Sequence, residues 1–333
     1  MNAATGSNRA PKGVEGKTVV ITGASSGAGR ATALAFARNG AWVVLAARRE
    51  PALKEVVAEC AAMGAKAVYA VTDVTDAAAM KDLAATAVAF GGVIDVWVNN
   101  AGVLAAGAFD KTPINVHEQV IRTNLLGYIN GAHAVMPYFK QQGYGILINN
   151  ISVGGWFPTP YAVAYTASKY GLRGYSEALR GELHQWPDIH VCDLFPAFLD
   201  TPGIQHAANY TGHYLKPAPP VYDPVRLAHT IVELAVHPQK SVTVGSAASF
   251  LRLANTFFPG LSRSITAGMV ETYMKNALPL DTTPGNVLEP VEYGTSIHGG
   301  WNSPADAQKR KRSTALLLAG LAAGWLLLRG ISR

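Results

Sequence analysis

Short apolar runs rich in valine and isoleucine alternate with longer stretches of helical pattern through the first 245 residues of this chain. The pattern predicts strands at 19–22, 42–49, 96–99, 145–149, 189–195 and 241–244. Helices are predicted between them at 27–39, 51–63, 76–89 and 165–183. Regular alternation of this kind predicts an α/β fold: a doubly wound, Rossmann-like parallel sheet with helices on both faces.

Composition divides the 333 residues into five predicted parts. The polar lead-in at 1–14 is expected to be disordered rather than a signal peptide. The alternating region, 15–245, has the length of one catalytic α/β domain. Beyond it the sequence predicts a helical extension at 246–278, a linker with a basic cluster at 279–312 and a transmembrane anchor at 313–331. The extension would suit a substrate-side cap, a membrane-facing surface or ordinary packing on the main domain.

The anchor prediction comes from an uncharged, mostly apolar run behind the basic sequence KRKR. As a helix, 313–328 would span roughly 24 Å, and extension to Ile331 gives about 28 Å, near the ~30 Å hydrocarbon core. A terminal helix packed on the protein or lying along the membrane surface is the alternative. Because basic residues tend to stay cytoplasmic, we expect a single-pass C-terminal anchor with the catalytic domain facing the cytoplasm. We also expect a homo-oligomer, a dimer or tetramer, and Gly320 and Gly324 could bring two anchors together.

The formal net charge of +6 is a property of the tail. Six lysines and arginines follow Asp306 with no acidic residue among them, so the rest of the chain carries no net formal charge. We therefore expect no nucleic-acid partner. The two cysteines, Cys60 and Cys192, and the nine histidines lack metal-ligand spacing, so no metal site is predicted.

A glycine-rich turn, TGASSGAG, follows the first predicted strand. Gly23, Gly27 and Gly29 fall where the backbone must turn tightly and approach a ligand closely, and Ser25 and Ser26 add hydroxyl groups. The helix that follows would direct its positive N-terminal end at a pyrophosphate. A glycine pattern alone is typical of a flexible loop, but its place between a strand and a helix predicts dinucleotide binding.

Tyr165 and Lys169 lie one helical turn apart in YTASK, so a phenol and an ammonium can face the same space. A nearby cation favours the phenolate, which predicts a lowered pKa for Tyr165. A tyrosine tuned in this way can exchange a proton with an alcohol or carbonyl oxygen. The spacing alone occurs by chance on many helices, and its weight comes from the motifs around it.

Together these motifs resemble the short-chain dehydrogenase/reductase family over roughly residues 15–245. The shared elements, in order, are TGASSGAG at 22–29, Asp73-Val74, NNAG at 99–102, Asn124, Ser152, YTASK at 165–169 and PAFLDT at 196–201. The resemblance implies an oxidoreductase in which Tyr165 is the general acid/base and Lys169 lowers its pKa and binds the nicotinamide ribose. It also implies that Ser152 polarises the substrate oxygen and that Asn124 supports a water linking Lys169 to solvent.

Two arginines at the end of the second predicted strand bear on the cofactor. Ala47 stands where many dinucleotide folds place an acid for the ribose 2′-hydroxyl, and Arg48 and Arg49 follow it. With no carboxylate to repel a 2′-phosphate and two guanidiniums to bind it, NADP(H) is favoured over NAD(H). The resemblance implies further cofactor contacts from Asp73, Val74, Asn100, Ala101, Gly102, Pro196 and Thr201.

The substrate is predicted only by class. Trp156 and Phe157, and aromatic residues and histidines within 203–223, could line a pocket. With the anchor, they suggest a lipophilic small-molecule alcohol, ketone or aldehyde. Two alternatives stay open: the same scaffold could catalyse an epimerisation or dehydration, or the chain could be a non-enzymatic, membrane-tethered NADP(H) sensor.

Overall fold

The computed structural model describes residues 13–302. Its strands are β1 (Thr18–Thr22), β2 (Trp42–Ala47), β3 (Ala67–Val71), β4 (Val96–Asn99), β5 (Ala105–Gly107), β6 (Gly145–Asn150), β7 (Ile189–Pro196), β8 (Ala208–Tyr210) and β9 (Ser241–Val244). Its α-helices are α1 (Gly27–Arg38), α2 (Glu50–Ala62), α3 (Ala77–Gly91), α4 (Ile114–Ile121), α5 (Gly127–Gln142), α6 (Val163–Glu182), α7 (Pro224–Leu234), α8 (Ser246–Phe257) and α9 (Pro259–Asn276).

Seven strands form one parallel sheet in the order β3-β2-β1-β4-β6-β7-β9. The chain winds outward from β1 in one direction and returns to β4 to wind in the other, which confirms the predicted doubly wound, Rossmann-like sheet. Every residue of β1 is buried, as expected for a strand covered by helices on both faces. Ligands of such sheets bind beyond the carboxyl ends of the strands, where the winding reverses between β1 and β4.

A buried polar row crosses three neighbouring strands of the sheet. Asn99, Asn149 and Asp193 lie side by side in the parallel register. The Asn99 side-chain amide donates to Asn149 at 3.0 Å, and the Asp193 carboxylate accepts from Ser176 on α6 at 2.7 Å and from Arg180 at 3.1 Å. A buried carboxylate is tolerated when it is paired and hydrogen-bonded, so this row fixes the docking of α6 on the sheet.

Helices α8 and α9 lie within the segment where the sequence predicts a helical extension. Residues 279–299 differ from the extended linker that their composition predicts, because they return along the α/β domain. They begin beside the loop after β8, where the Leu280 N–H donates to the Gly212 carbonyl at 3.0 Å. Thr283 then exchanges backbone hydrogen bonds of 2.8 and 3.0 Å with Asn209 in β8 itself. We call residues 284–299 the strap; its Val287 side chain is fully buried.

None of the helices within residues 13–302 is long and apolar enough to cross a membrane. The predicted anchor at 313–331, the KRKR cluster and residues 1–12 of the predicted lead-in at 1–14 lie outside the described residues. Val14, at the end of that lead-in, is buried in the core.

Candidate active site

Ser152 and Tyr165 meet beyond the carboxyl end of β6. Ser152 has a φ of 117°, a conformation that non-glycine residues rarely adopt, and such strain is typical of positioned functional residues. Its hydroxyl oxygen accepts from the Gly154 N–H at 3.1 Å, which leaves the hydroxyl proton to donate. A Cβ on Gly154 would lie 2.9 Å from Cε1 of Tyr165, so the missing side chain lets the tyrosine ring approach the serine.

The pKa of Tyr165 is raised, mainly because burial disfavours the phenolate; a hydrogen bond with the Ser152 side chain works in the opposite direction. This differs from the lowered pKa that the YTASK spacing predicts. The Lys169 amine stands 5.6 Å from the centre of the Tyr165 ring, and desolvation has the largest effect on the pKa of each group. Burial, rather than the neighbouring cation, therefore dominates the pKa of the phenol.

Lys169 is a buried amine with few polar neighbours. Its side chain donates to the Asn150 carbonyl at 3.5 Å, and the same carbonyl accepts from the Tyr128 hydroxyl at 2.7 Å. Desolvation lowers the pKa of the Lys169 ammonium to about 7. An amine of this pKa gains or loses its proton close to neutral pH, as a proton relay requires.

Asn124 lies on a π-helical turn, 122–126, that interrupts the helical path between α4 and α5. Its side chain is fully buried and pairs with the backbone of Val103: the amide nitrogen donates to the carbonyl at 2.8 Å, and the amide oxygen accepts from the N–H at 2.8 Å. It also donates to Ser168 at 3.3 Å. The side chain therefore ties the loop after β4 to α6, and its role in holding a water stays a prediction.

The glycine-rich turn packs directly against the NNAG segment. Gly23 has a φ of 67°, and a Cβ there would lie 2.7 Å from the Cα of Ala101. A Cβ on Gly29 would collide with the carbonyl oxygen of Gly23. The Asn100 amide donates to the Thr22 carbonyl at 3.0 Å. Only glycine fits both positions, so the first βα turn is built to bring backbone close to a ligand.

The remaining residues of this turn lie at the start of α1. Ser25 is buried, Ser26 is the extended residue preceding the helix, and no acidic residue occupies the first helical turn. A Cβ on Gly27 would stand 3.2 Å from the Cβ of Thr201, so the loop after β7 touches this helix end. A Cβ added to Gly102 would lie 4.0 Å from Lys169 Nζ, so this glycine lies next to the amine. Together these residues fit a dinucleotide that runs from the start of α1 toward Tyr165.

Arg48 and Arg49 directly follow β2, which ends at Ala47 rather than at the predicted residue 49, and both side chains bind the strap. Arg48 donates to the Asn286 carbonyl at 2.6 Å, and Arg49 donates to the carbonyls of Val291 and Tyr293 at 2.8 Å each. Sequence reasoning missed these partners. They are backbone carbonyls about 240 positions away, which no local residue pattern reveals.

The other predicted cofactor residues lie at the ends of β3 and β7 or directly after them. Asp73 follows β3, and its carboxylate accepts from the N–H and hydroxyl of Thr75 at 2.9 and 2.8 Å, which fixes the turn. Val74 is buried against the start of α5, where a Cβ on Gly127 would meet it. Pro196 ends β7, directly before the loop that carries Thr201. Their contacts with a cofactor stay predictions.

Two residues predicted to line a substrate pocket have other partners. The guanidiniums of Arg173 and Arg252 lie 3.2 and 3.9 Å from the centre of the Trp156 ring. His206 is buried, and its ring packs 5.5 Å from that of Tyr293 in the strap. Phe157, in contrast, joins an apolar cluster with Val153, Ala197 and Ala248 next to Ser152.

Comparisons with known proteins identify the family of the chain. Residues 17–210 match the family model described as short chain dehydrogenase. The chain is 31% identical over 325 residues to Uncharacterized oxidoreductase YxnA of Bacillus subtilis, which covers 94% of this chain and 90% of that protein. It is 34% identical over 235 residues to 2,5-dichloro-2,5-cyclohexadiene-1,4-diol dehydrogenase LinX of Sphingobium indicum, covering 68% of this chain and 92% of that protein.

A solved structure is also similar: the alcohol dehydrogenase from the archaeon Thermococcus sibiricus complexed with 5-hydroxy-NADP. It superposes with a TM-score of 0.60 at 26% identity and covers 70% of this chain and 97% of that one. The chain belongs to the short-chain dehydrogenase family and is an oxidoreductase of that type.

The burial of Lys169 predicts a pH-dependent contribution to stability. Between about pH 7 and 10.4 the unfolded state binds a proton at this amine that the folded state does not, so the unfolding free energy rises with pH. Relative to Lys169→Met, the wild type should gain up to about 1.4 kcal/mol per pH unit in that window. Denaturant unfolding at pH 7.5 and 9 measures it, with Lys111→Met at an exposed lysine as the control. An equal difference between the wild type and Lys169→Met at both pH values would contradict the burial argument.

Proposed function

We propose that this oxidoreductase uses NADP(H) to interconvert a lipophilic alcohol and its ketone or aldehyde, with Tyr165 as the general acid/base. The observation that carries the proposal is the convergence of three groups: the Ser152 hydroxyl, the Tyr165 phenol and the Lys169 amine. Lys169 is buried, and Ser152 and Tyr165 are half-buried beside it. The nicotinamide, when bound, supplies or accepts the hydride at the substrate carbon.

The protein's own groups handle the proton and the charge on the substrate oxygen. During reduction, Ser152 donates a hydrogen bond to the carbonyl oxygen, while Tyr165 transfers its proton to that oxygen as the hydride arrives at carbon. The raised pKa of the phenol keeps it protonated before the reaction. Lys169, with a pKa near neutrality, stabilises the phenolate that forms and helps return its proton. During oxidation each transfer runs in reverse.

Two observations support the details of cofactor and substrate. No carboxylate occupies the end of β2, where Ala47 is followed by two guanidiniums, which favours a 2′-phosphate. The apolar cluster of Val153, Phe157, Ala197 and Ala248 adjoins Ser152, which suits a lipophilic substrate. The sensor alternative loses ground because the chain belongs to an enzyme family and retains the complete catalytic trio.

Tyr165→Phe is expected to lower kcat by about 10²–10⁴-fold, because it removes the proton donor, while leaving the Kd for NADP⁺ nearly unchanged. NADPH oxidation against a panel of lipophilic ketones and aldehydes in detergent provides the assay. Tyr170→Phe, one turn along α6 with its hydroxyl bound to the Trp156 carbonyl, is the matched control.

Full activity of Tyr165→Phe on every substrate that the wild type turns over would refute the proposed role. NADPH deuterated at C4 separates the alternatives, because a reductase leaves deuterium on the product carbon and accumulates oxidised cofactor. An epimerase or dehydratase would accumulate no oxidised cofactor.

The cofactor preference is tested with Arg48→Ala/Arg49→Ala. Loss of charged hydrogen bonds to a 2′-phosphate should shift the ratio of the two dissociation constants toward NAD⁺ by about tenfold or more. Calorimetric titration with both dinucleotides measures the ratio, and Arg263→Ala on α9 serves as the control. An unchanged ratio would show that these arginines do not select NADP⁺.

We also propose that residues 313–331 anchor the chain in a membrane, with the catalytic domain on the cytoplasmic side. The uncharged apolar run behind KRKR supports it. Helices α8 and α9 and the residue between them add exposed large apolar side chains, which suit a lipid surface: Phe250, Leu253, Phe257, Phe258, Leu261, Ile265 and Met269. A homo-oligomer stays a prediction, and light scattering of the detergent-solubilised chain would determine its mass.

The anchor predicts that charge inside the apolar run abolishes membrane attachment. Leu318→Arg/Leu321→Arg should cost about 2.5–3.5 kcal/mol of insertion free energy per arginine and move the protein from liposomes into the soluble fraction. Flotation of the full chain with phospholipid vesicles measures this, and Ile114→Arg, at an exposed position of α4, is the control. Flotation of the double variant at the wild-type level would exclude the anchor.

A further inference from the structure

The strap is fastened along its length to the domain that it crosses. Val287 is buried in the cluster that contains Ala208, and Ile297 packs against small residues of α1 and α7. Gly285 and Gly294 adopt positive φ values of 52° and 69°. A Cβ on Gly285 would collide with the backbone of residues 206–207, and one on Gly294 would collide with the His206 ring. Buried anchors and tight glycine contacts give the strap one defined path.

That path leads across the donors expected to bind the phosphates of a dinucleotide. The Gly27 N–H, at the start of α1, donates to the Ser296 carbonyl at 2.9 Å. Helix N-termini present such N–H groups to pyrophosphate in Rossmann-like folds. One turn further along, Arg30 donates to the Thr295 carbonyl at 2.8 Å. The strap therefore accepts hydrogen bonds from the N-terminal end of α1 as well as from both arginines after β2.

The two arginines are held by acceptors that do not match their charge. The hydrogen bonds of Arg48 and Arg49 to the strap all end on neutral backbone carbonyls. Burial, and then repulsion from Arg48, lowers the pKa of Arg49. A phosphate oxygen carries the negative charge that these carbonyls lack, and a phosphate can accept two parallel hydrogen bonds from one guanidinium. The surface beneath the strap is thus suited to an anion that the strap itself does not provide.

We propose that the strap is an intramolecular competitor of the dinucleotide. Four of its backbone carbonyls accept hydrogen bonds from the N–H at the start of α1 and from the two arginines: those of Asn286, Val291, Tyr293 and Ser296. The strap must therefore lift before the cofactor phosphates can bind these donors. This inference rests on the proposed NADP(H) function. It adds that the affinity for the dinucleotide depends on how often the strap is open. The apparent affinity equals the affinity of the open state multiplied by the fraction of molecules that are open.

Gly294→Ala tests the proposal without altering any donor. The new methyl group would collide with His206 and strain a positive-φ backbone, which loosens the strap while Gly27, Arg48 and Arg49 remain. Tyr293→Ala is a second variant, since it removes the ring that packs on His206. Gly64→Ala is the matched control: its φ is 81°, and a Cβ there has nothing within 4 Å.

Titration of the full chain in detergent with NADP⁺ measures the effect. Both strap variants should lower the Kd for NADP⁺ by about tenfold if they raise the open fraction tenfold, and Gly64→Ala should not. Circular dichroism and thermal unfolding confirm that each variant is folded. Weaker binding by the folded strap variants would overturn the proposal, because it would make the strap part of the dinucleotide's binding surface. Equal affinity in all four proteins would overturn it as well, while leaving the NADP(H) function intact.

Hydrogen exchange of the wild type provides an independent readout. The Asn286 N–H donates to the His206 carbonyl at 2.8 Å, and the Gly299 N–H donates to Asp200, so both report whether the strap is seated. NADP⁺ should accelerate exchange across 284–299. Slower exchange on adding NADP⁺ would overturn displacement. Failure of the wild type and both strap variants to bind any dinucleotide would overturn the proposed function together with this inference.

Discussion

A buried amine sets the geometry of the proposed catalytic site. Lys169 has its charge-bearing atom inside the domain, where the Asn150 carbonyl is its hydrogen-bonding partner and the rings of Tyr128 and Tyr165 lie 5.1 and 5.6 Å away. Placing an amine there is costly, and the lowered pKa expresses that cost. The helix that carries Lys169 is held on the sheet by the hydrogen bonds of Ser176 and Arg180 to Asp193. The position of Tyr165 follows from the same helix.

In the proposed mechanism, proton transfer and charge stabilisation are divided between Tyr165, whose pKa is raised, and Lys169, whose pKa is lowered. Burial raises the pKa of the Tyr165 phenol, which keeps it protonated, and lowers the pKa of the Lys169 ammonium to about 7. The Ser152 hydroxyl favours the phenolate through its hydrogen bond, and a strained backbone holds it in place. Neighbouring groups whose environments shift their pKa values in different directions are suited to act as the acid and the base of a reaction.

The strap covers hydrogen-bond donors on the cofactor side of the site. Read as sequence, 279–312 is a proline- and glycine-rich stretch, which is typical of a linker. In the fold, its described part shares hydrogen-bond donors with the predicted phosphate site, and it contacts the loops after β1, β2 and β7. The match with the Bacillus subtilis oxidoreductase covers 94% of the chain, more than residues 15–245 alone could supply. The similarity therefore extends beyond the family domain.

The sequence by itself determined six of the seven strands of the parallel sheet, the glycine turn and the three residues proposed as the catalytic trio, but it did not predict β3. Each rests on local order: β4 and β9 coincide with the predicted strands, and the contacts of Gly23 and Gly29 follow from a turn within one βα unit. Tertiary structure alone decided the raised pKa of Tyr165, the π-helical turn at Asn124 and the partners of Arg48 and Arg49. Burial and backbone carbonyls produce these features. Neither leaves a residue pattern, because desolvation depends on what the whole fold packs around a group, and every residue carries the same carbonyl.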